Sequence, residues 1–265
     1  MNRWTTGTCQ ANGINIHYLR TGGDKPPVVL LHGLIMNGAC WTSLARALEK
    51  DYDVIMPDAG GHGNSDAHQG YSYNKLATDV LSLIEALRLT NPVLLGHSMG
   101  GMTAAVVAAQ NPKRLRGLVM ADPTFLTPQR QQEVYESDVA AQHRQILNRS
   151  REDFLAELRT RHSHRSPELI ELFVQSRFQT DIHAFDILTP PNPDYRQLIR
   201  SITIPSLLII GGVGGVVSPE VATELTRLNH RLEIAQIEEA GHGIPYDQPE
   251  RFSIIVKIFL HTTCF

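Results

Sequence analysis

A serine in this sequence has the setting that nucleophilic catalysis requires. Ser98 stands in Gly96–Gly100 (GHSMG), between an apolar run at 92–95 and a stretch rich in Gly and Ala. A strand, a sharp turn and a helix in this order expose a serine hydroxyl at a helix N-terminus. We therefore predict that Ser98 is the nucleophile of an acyl transfer. Because a serine hydroxyl is a weak nucleophile at neutral pH, a base must lie within hydrogen-bond reach.

The predicted base is His242, one of twelve histidines. It follows the last predicted strand, between Gly241 and Gly243, and the two glycines allow a loop to fold back over the nucleophile. His32 is expected to be structural. The remaining candidates lie in a polar segment and are expected to be mostly on the surface, although one of them could line a substrate tunnel: His143, His162, His164 and His183.

Two backbone N–H groups are predicted to bind the oxygen that becomes negative during attack on a carbonyl. One belongs to Leu34, in His32–Leu34 (HGL) after an apolar run, and the other to Met99, directly after the nucleophile. The alternative is that Gly33 only permits a turn.

Four motifs together carry a resemblance to a known family. They are HG at 32–33, DAGGHGNS at 58–65, GHSMGG at 96–101 and AGH at 240–242. The chain resembles the α/β-hydrolase superfamily, and particularly its capped esterases and C–C bond hydrolases. The resemblance implies a triad in the chain order nucleophile, acid, histidine, a structural turn at 58–65 and a reaction that requires no cofactor.

The acid of the triad departs from the family's pattern. In most members it follows the strand corresponding to 206–210, but that position reads Gly211–Gly215 (GGVGG) here. Asp122 is the best substitute, because it ends the strand after the nucleophile helix, as in some lipases of this fold. Otherwise Asp122 is a turn residue before proline. Glu220 is the next candidate, although a first-turn charge explains it as well, and Asp247, which follows His242, ranks third.

Strands alternating with helices imply an α/β fold, with a mostly parallel, doubly wound sheet of about eight strands and ligands at the carboxyl ends of the strands. Residues 14–19 are expected to form an antiparallel edge strand. Residues 124–200 contain no convincing strand and are interpreted as an inserted helical cap, which leaves 1–123 and 201–265 as the hydrolase core. A nucleophile helix is predicted over 99–110. Strands are predicted at 28–31, 54–56, 92–95, 115–121, 206–210 and 232–237, and those at 28–31 and 92–95 are expected to be buried.

Composition excludes several classes of function. The 265 residues carry a net charge of −3, which favours a small, roughly neutral substrate over nucleic acid or a membrane surface. Three widely spaced cysteines (Cys9, Cys40 and Cys264) suggest neither a disulfide framework nor a zinc site, and no other metal cluster is evident. No signal peptide or membrane span is apparent, so we expect a cytoplasmic protein, with a homodimer possible.

The cap should set the substrate. Its phenylalanines favour an apolar substrate body, although helical spacing makes most of them core residues, and Arg159, Arg161, Arg165 and Arg177 are expected to form a solvated face. Carboxylic ester hydrolysis through an acyl-enzyme is the first prediction. Lactone, thioester and C–C (meta-cleavage product) substrates stay open, as does a ligand-binding protein of the same fold with little turnover.

Overall fold

The structure is a computed structural model that describes residues 4–264. Its strands form one sheet in the order β1-β2-β4-β3-β5-β6-β7-β8. The six strands from β4 to β8 are parallel, whereas β1 and β2 are antiparallel to their neighbours. The fold class predicted from the sequence is confirmed. The strands are β1 (Thr5–Ala11), β2 (Ile14–Arg20), β3 (Pro27–Leu31), β4 (Asp53–Pro57), β5 (Val93–His97), β6 (Gly117–Ala121), β7 (Ser206–Gly211) and β8 (Leu232–Ile237).

Helices cover both faces of the sheet. Leu76, Met102 and Ile199 contribute to the apolar core on one face, and Leu48 and Phe252 to the core on the other. The α-helices are α1 (Thr42–Leu48), α2 (Tyr73–Ala86), α3 (Met99–Gln110), α4 (Pro128–Glu136), α5 (Val139–Leu147), α6 (Arg151–Arg161), α7 (Pro167–Phe178), α8 (Tyr195–Ser201), α9 (Pro219–Leu228), α10 (Ile244–Asp247) and α11 (Pro249–Phe259). Among the described residues, none of these helices is long and apolar enough to cross a membrane.

The nucleophile helix α3 is buried along most of its length. Residues 99–108 are all buried, because their small and apolar side chains let the helix lie close to the sheet on several sides. The strand that precedes it, β5, is buried throughout. Ser98 therefore lies between two buried elements of the core.

One prediction about the sheet edge was wrong. The edge strand is β1, which pairs with β2 from Thr5↔Arg20 to Ala11↔Ile14, so β2 is the second strand and not the edge. The sequence of β1, TTGTCQA, is polar and mostly exposed, and only Ala11 is fully buried. An edge strand with so little apolar alternation gives no periodic signal.

The segment between β6 and β7 holds five α-helices and a 3₁₀-helix (Ile182–Leu188). Phe154 of α6 and Phe173 of α7 form a small apolar cluster with Cys40 and Tyr246, and the Tyr246 ring lies 5.5 Å from the ring of His97, next to Ser98. Ile199 of α8 packs instead in the core beside α3. The exact division at 123 and 201 stays a prediction.

Candidate active site

Ser98 occupies a sharp turn between β5 and α3, with φ 54° and ψ −118°. The residues two positions before and two positions after Ser98 must be glycines for steric reasons. A Cβ on Gly96 would lie 2.1 Å from the Gly100 carbonyl oxygen, and a Cβ on Gly100 would lie 2.2 Å from the Leu31 oxygen. A left-handed φ is unfavourable for serine and survives only where the surroundings enforce it. Here the Ser98 N–H also donates to the Ala121 oxygen at 3.1 Å.

A continuous hydrogen-bond chain joins the three residues predicted to form a triad. The Ser98 hydroxyl lies 3.0 Å from His242 Nε2, and His242 Nδ1 lies 2.6 Å from Asp122 Oδ2. A carboxylate can only accept at this point, so Nδ1 carries the proton and Nε2 offers its lone pair to the serine hydroxyl. This arrangement can take a proton from Ser98 as the hydroxyl attacks a carbonyl.

The loop that lacks the usual acid holds Asp122 in place. The Asp122 side chain is fully buried, and its carboxylate accepts from Val216 N at 2.8 and 3.1 Å and from Val217 N at 2.9 Å. A Cβ on Gly215 would lie 3.6 Å from both carboxylate oxygens, so the backbone approaches closely. The two valines directly after the glycine-rich segment thus supply the N–H donors that stabilise a negative charge away from water.

The other two candidate acids lie elsewhere. Glu220 is exposed in the first turn of α9, where a hydrogen bond with the Ser218 side chain lowers its pKa. The Asp247 carboxylate accepts from the Arg165 guanidinium at 2.6 and 2.9 Å. Within residues 4–264, neither carboxylate bonds to His242.

Two contacts that sequence reasoning missed hold the backbone around His242. His97 Nε2 donates to the His242 carbonyl oxygen at 2.8 Å, and burial lowers the pKa of His97 to about 3, so its ring stays neutral. A Cβ on Gly243 would lie 2.8 Å from Arg165 Nη2, so the Arg165–Asp247 ion pair packs directly on that glycine. The only sequence signal for the first contact is the position of His97 inside the GHSMG motif.

The loop after β3 lies against the nucleophile. A Cβ on Gly33 would lie 3.2 Å from Ser98 Cβ, so no larger residue fits there without displacement. The next residue is Leu34, and the N–H of Met99 lies in the first turn of α3, where the helix offers no acceptor. Both N–H groups predicted as oxyanion donors therefore belong to segments that border Ser98. Their role stays a prediction.

Two histidines outside the triad have structural contacts. His32 Nε2 accepts from Ala59 N at 2.9 Å, and burial lowers the pKa of His32, which fits a structural histidine. His143 was expected on the surface, but it is fully buried in α5, where its ring stacks on Phe185 at 4.7 Å. Its Nε2 donates to the Thr180 oxygen at 3.0 Å.

The expected solvated face of arginines is also partly wrong. Arg159 and Arg161 are exposed, with 51% and 64% of their side-chain surfaces accessible. The Arg165 side chain is only 11% exposed, because it covers the Phe173 ring and pairs with Asp247. Arg177 is 8% exposed as a residue. The sequence predicts one solvated face, but tertiary packing largely buries two of these four arginines.

Comparisons with known proteins concern the family and the fold of the chain. A family model for the alpha/beta hydrolase fold matches residues 26–249. The chain is 30% identical over 260 residues to the N-formylmaleamate deformylase of Pseudomonas putida, with 96% of each chain covered. It is 28% identical over 266 residues to the sn-1-specific diacylglycerol lipase ABHD11 of Mus musculus, which covers 92% of this chain and 85% of that protein.

Solved structures show the same architecture. The crystal structure of an N-formylmaleamic acid deformylase from Pseudomonas putida superposes with a TM-score of 0.80 at 25% identity, covering 96% of this chain and 100% of that one. The structure of E-2-(acetamidomethylene)succinate hydrolase gives a TM-score of 0.84 at 23% identity, covering 98% and 100%, and is a likeness of fold alone. In the part of the chain that the structure describes, no cluster of three or more His, Cys, Asp or Glu side chains has the arrangement of a metal site.

Proposed function

Because the chain belongs to the α/β-hydrolase family and is a hydrolase, we propose that Ser98 attacks the acyl carbon of a small carboxylic ester. The observation that carries the proposal is the unbroken hydrogen-bond chain from Ser98 through His242 to the buried Asp122. In such a chain the base and its orienting acid are already placed before substrate binds.

The proposed reaction has two steps. In the first, His242 Nε2 takes the Ser98 proton, the hydroxyl oxygen bonds to the acyl carbon, and the Leu34 and Met99 N–H groups bind the oxyanion. His242 then donates that proton to the leaving alcohol, and an acyl-enzyme remains on Ser98. In the second step, water loses a proton to His242 as its oxygen bonds to the acyl carbon. The bond between that carbon and the Ser98 oxygen then breaks, His242 returns the proton to Ser98, and the acid is released. Asp122 keeps Nδ1 protonated throughout and stabilises the imidazolium.

Amide hydrolysis is a second candidate. The similarity to N-formylmaleamate deformylase extends over 96% of both chains, and that protein's name describes removal of a formyl group. A triad that acylates serine with an ester also does so with an amide when His242 can protonate the leaving nitrogen.

A substrate panel separates the two candidates. Wild-type protein is assayed with p-nitrophenyl acetate, p-nitrophenyl butyrate, an N-formyl amide and a lactone, with Ser98→Ala as the control. We expect the p-nitrophenyl esters to be hydrolysed with an initial burst equal to the enzyme concentration, and Ser98→Ala to lose both burst and turnover. Faster turnover of the amide than of any ester would favour the deformylase alternative. Failure on every substrate would favour a binding protein and contradict the proposal.

We also propose that the enzyme works in the cytoplasm. Its cysteines Cys9, Cys40 and Cys264 are all free thiols, as a reducing compartment would keep them. Fractionation of the native host, with the chain detected by antibody, tests this; recovery outside the cytoplasmic fraction would contradict it.

A further inference from the structure

Arg177 is a buried cation for which the described part of the chain supplies no ion-pair partner. Only 8% of the residue is exposed, and its Nε has no hydrogen-bond partner. Among residues 4–264 no carboxylate forms an ion pair with it, in contrast to Arg165, which is bound by Asp247. Burial lowers the pKa of Arg177 to about 10, so the guanidinium keeps its charge at neutral pH. An unpaired buried charge is unfavourable unless something else compensates it.

The groups around Arg177 do not supply that compensation. The Phe185 ring centroid lies 5.9 Å from the guanidinium carbon, near the limit of a cation–π contact, which offsets only part of the desolvation. His143 is a neighbour of like charge when protonated, and burial lowers its pKa, so it stays neutral. Its Nδ1 also has no hydrogen-bond partner. Among the described residues, neither neighbour therefore neutralises the charge of Arg177, and no carboxylate pairs with it.

The helix that carries Arg177 rests on the loop beside the nucleophile. Ser176 Oγ donates to the Ile35 oxygen at 3.0 Å, and Gln179 Oε1 accepts from Asn37 Nδ2 at 3.1 Å. Ile35 is two residues after Gly33, which lies against Ser98. Ser176 and Gln179, which form these two hydrogen bonds, lie on either side of Arg177 in the sequence. They attach the C-terminal end of α7 to the loop that contains the predicted oxyanion donor Leu34.

We propose that Arg177 binds a carboxylate of the substrate, so that the enzyme acts on a small ester or amide that also carries a free carboxylate. The inference rests on the proposed function, because it places this carboxylate in the site where Ser98 attacks the acyl carbon. A guanidinium suits this task, since its planar fork can donate two parallel hydrogen bonds to one carboxylate. The net charge of −3 favours a neutral substrate, but a single buried cation decides recognition locally.

Matched ester pairs test the proposal. Mono-p-nitrophenyl succinate is compared with its methyl ester, and p-acetoxybenzoate with its methyl ester, so that the carboxylate lies on the acyl part or on the leaving group. We expect the wild type to prefer the acid in one pair. In Arg177→Met, kcat/KM for that acid should fall about 100-fold, the usual cost of removing one partner of a buried charge pair, with little change for the methyl ester. Arg177→Lys should restore part of the loss.

Arg159→Met is the control, because Arg159 is an exposed arginine of the same segment that pairs with Glu171, and it should leave both members of each pair unchanged. Calorimetric titration with succinate and succinamide gives a readout that does not depend on turnover. Succinate should bind the wild type and not Arg177→Met, and succinamide should bind neither. If Arg177→Met does not fold, the kcat/KM values of Arg177→Lys for acid and methyl ester, together with the succinate titration of the wild type, test the proposal.

Failure of this inference differs from failure of the proposed function. Ester hydrolysis with equal kcat/KM for acid and methyl ester in both pairs, together with no succinate binding, would overturn the role of Arg177 and leave the serine mechanism intact. Succinate binding that depends on Arg177, without turnover of any ester or amide and without labelling of Ser98 by a fluorophosphonate, would overturn the proposed function alone.

Discussion

Replacing Asp122 with asparagine tests whether this residue is the acid that orients His242, because it exchanges one carboxylate oxygen for an NH₂ group. Asp122 Oδ2 lies 2.6 Å from His242 Nδ1, and the same carboxylate accepts from the N–H groups of Val216 and Val217. All of these partners donate. An asparagine amide therefore points its NH₂ group at a donor in either orientation, and in one of them it favours the His242 tautomer that has its proton on Nε2. That tautomer cannot accept the Ser98 proton.

The size of the effect follows from the charge that is lost. Opposite charges about 4 Å apart attract by about 4 kcal/mol at an effective dielectric constant of about 20. The imidazolium formed in the transition state loses this stabilisation, which corresponds to about a thousandfold in rate. The wrong tautomer adds to this, so we expect kcat to fall by about 10³- to 10⁴-fold, comparable with the effect of the same substitution in a serine protease. Unpaired backbone donors should also reduce the free energy of unfolding by about 1–3 kcal/mol.

The assay is steady-state hydrolysis of p-nitrophenyl acetate, with circular dichroism and urea denaturation to verify folding. Glu220→Gln is the matched control, because it makes the same chemical change at the exposed alternative acid. It should retain wild-type activity. An Asp122→Asn protein that is folded and within tenfold of wild-type kcat would refute the assignment of Asp122, and a large loss in Glu220→Gln would transfer the role to Glu220.

Three further predictions concern the supports of the site. Burial lowers the pKa of His62, in the turn at 58–65, and of His97 to about 3 from an ordinary value of 6.5. Between these pH values the unfolded chain binds more protons than the folded one, so stability falls as pH falls. From pH 6.5 to 5 each histidine should cost about 2 kcal/mol in the free energy of unfolding measured with urea, and a flat profile would contradict their neutral burial. Arg165→Met removes the ion pair that packs on Gly243 and should lower kcat about tenfold. It should also lower the melting temperature, because the largely buried Asp247 carboxylate loses its partner. Exposed Arg161→Met should change neither quantity, and equal kcat values for a folded Arg165→Met and the wild type would show that the pair does not position His242. Gly100→Ala places a Cβ 2.2 Å from the Leu31 oxygen and should lower the melting temperature by several degrees. Differential scanning calorimetry measures this change. An unchanged melting temperature would contradict the packing described for the turn at Ser98.

The sequence predicts those parts of the fold and site that local patterns determine. Continuous apolar runs predicted the central strands because strands buried on both faces need no polar residues. GHSMG predicted the turn because its glycines are required where Gly96 meets Gly100 and where Gly100 meets Leu31. Asp122 was predicted as the acid from its place at a strand end, since the carboxyl ends of parallel strands meet at one edge. The structure places its carboxylate 2.6 Å from His242 Nδ1.

Features that depend on contacts between distant segments escaped prediction. His143 lies in the polar helix VAAQHRQIL and is buried because Phe185, 42 residues later, stacks on it. The stretch Gly211–Gly215 reads as the loss of an acid, yet it leads to the N–H groups of Val216 and Val217, which hold the substitute. Neither relation has a signature in the local spacing of residues, because both follow from how the elements pack.

The central claim is that Ser98 becomes acylated with His242 as its base, and trapping the intermediate tests it most directly. The protein is mixed with p-nitrophenyl acetate, quenched in acid within the burst phase, digested and analysed by mass spectrometry. We predict one acetyl group on the peptide that contains Ser98, and none at that site in Ser98→Ala or His242→Ala. Hydrolysis that continues in Ser98→Ala, or an acetyl group found on another residue of a fully active enzyme, would contradict the account.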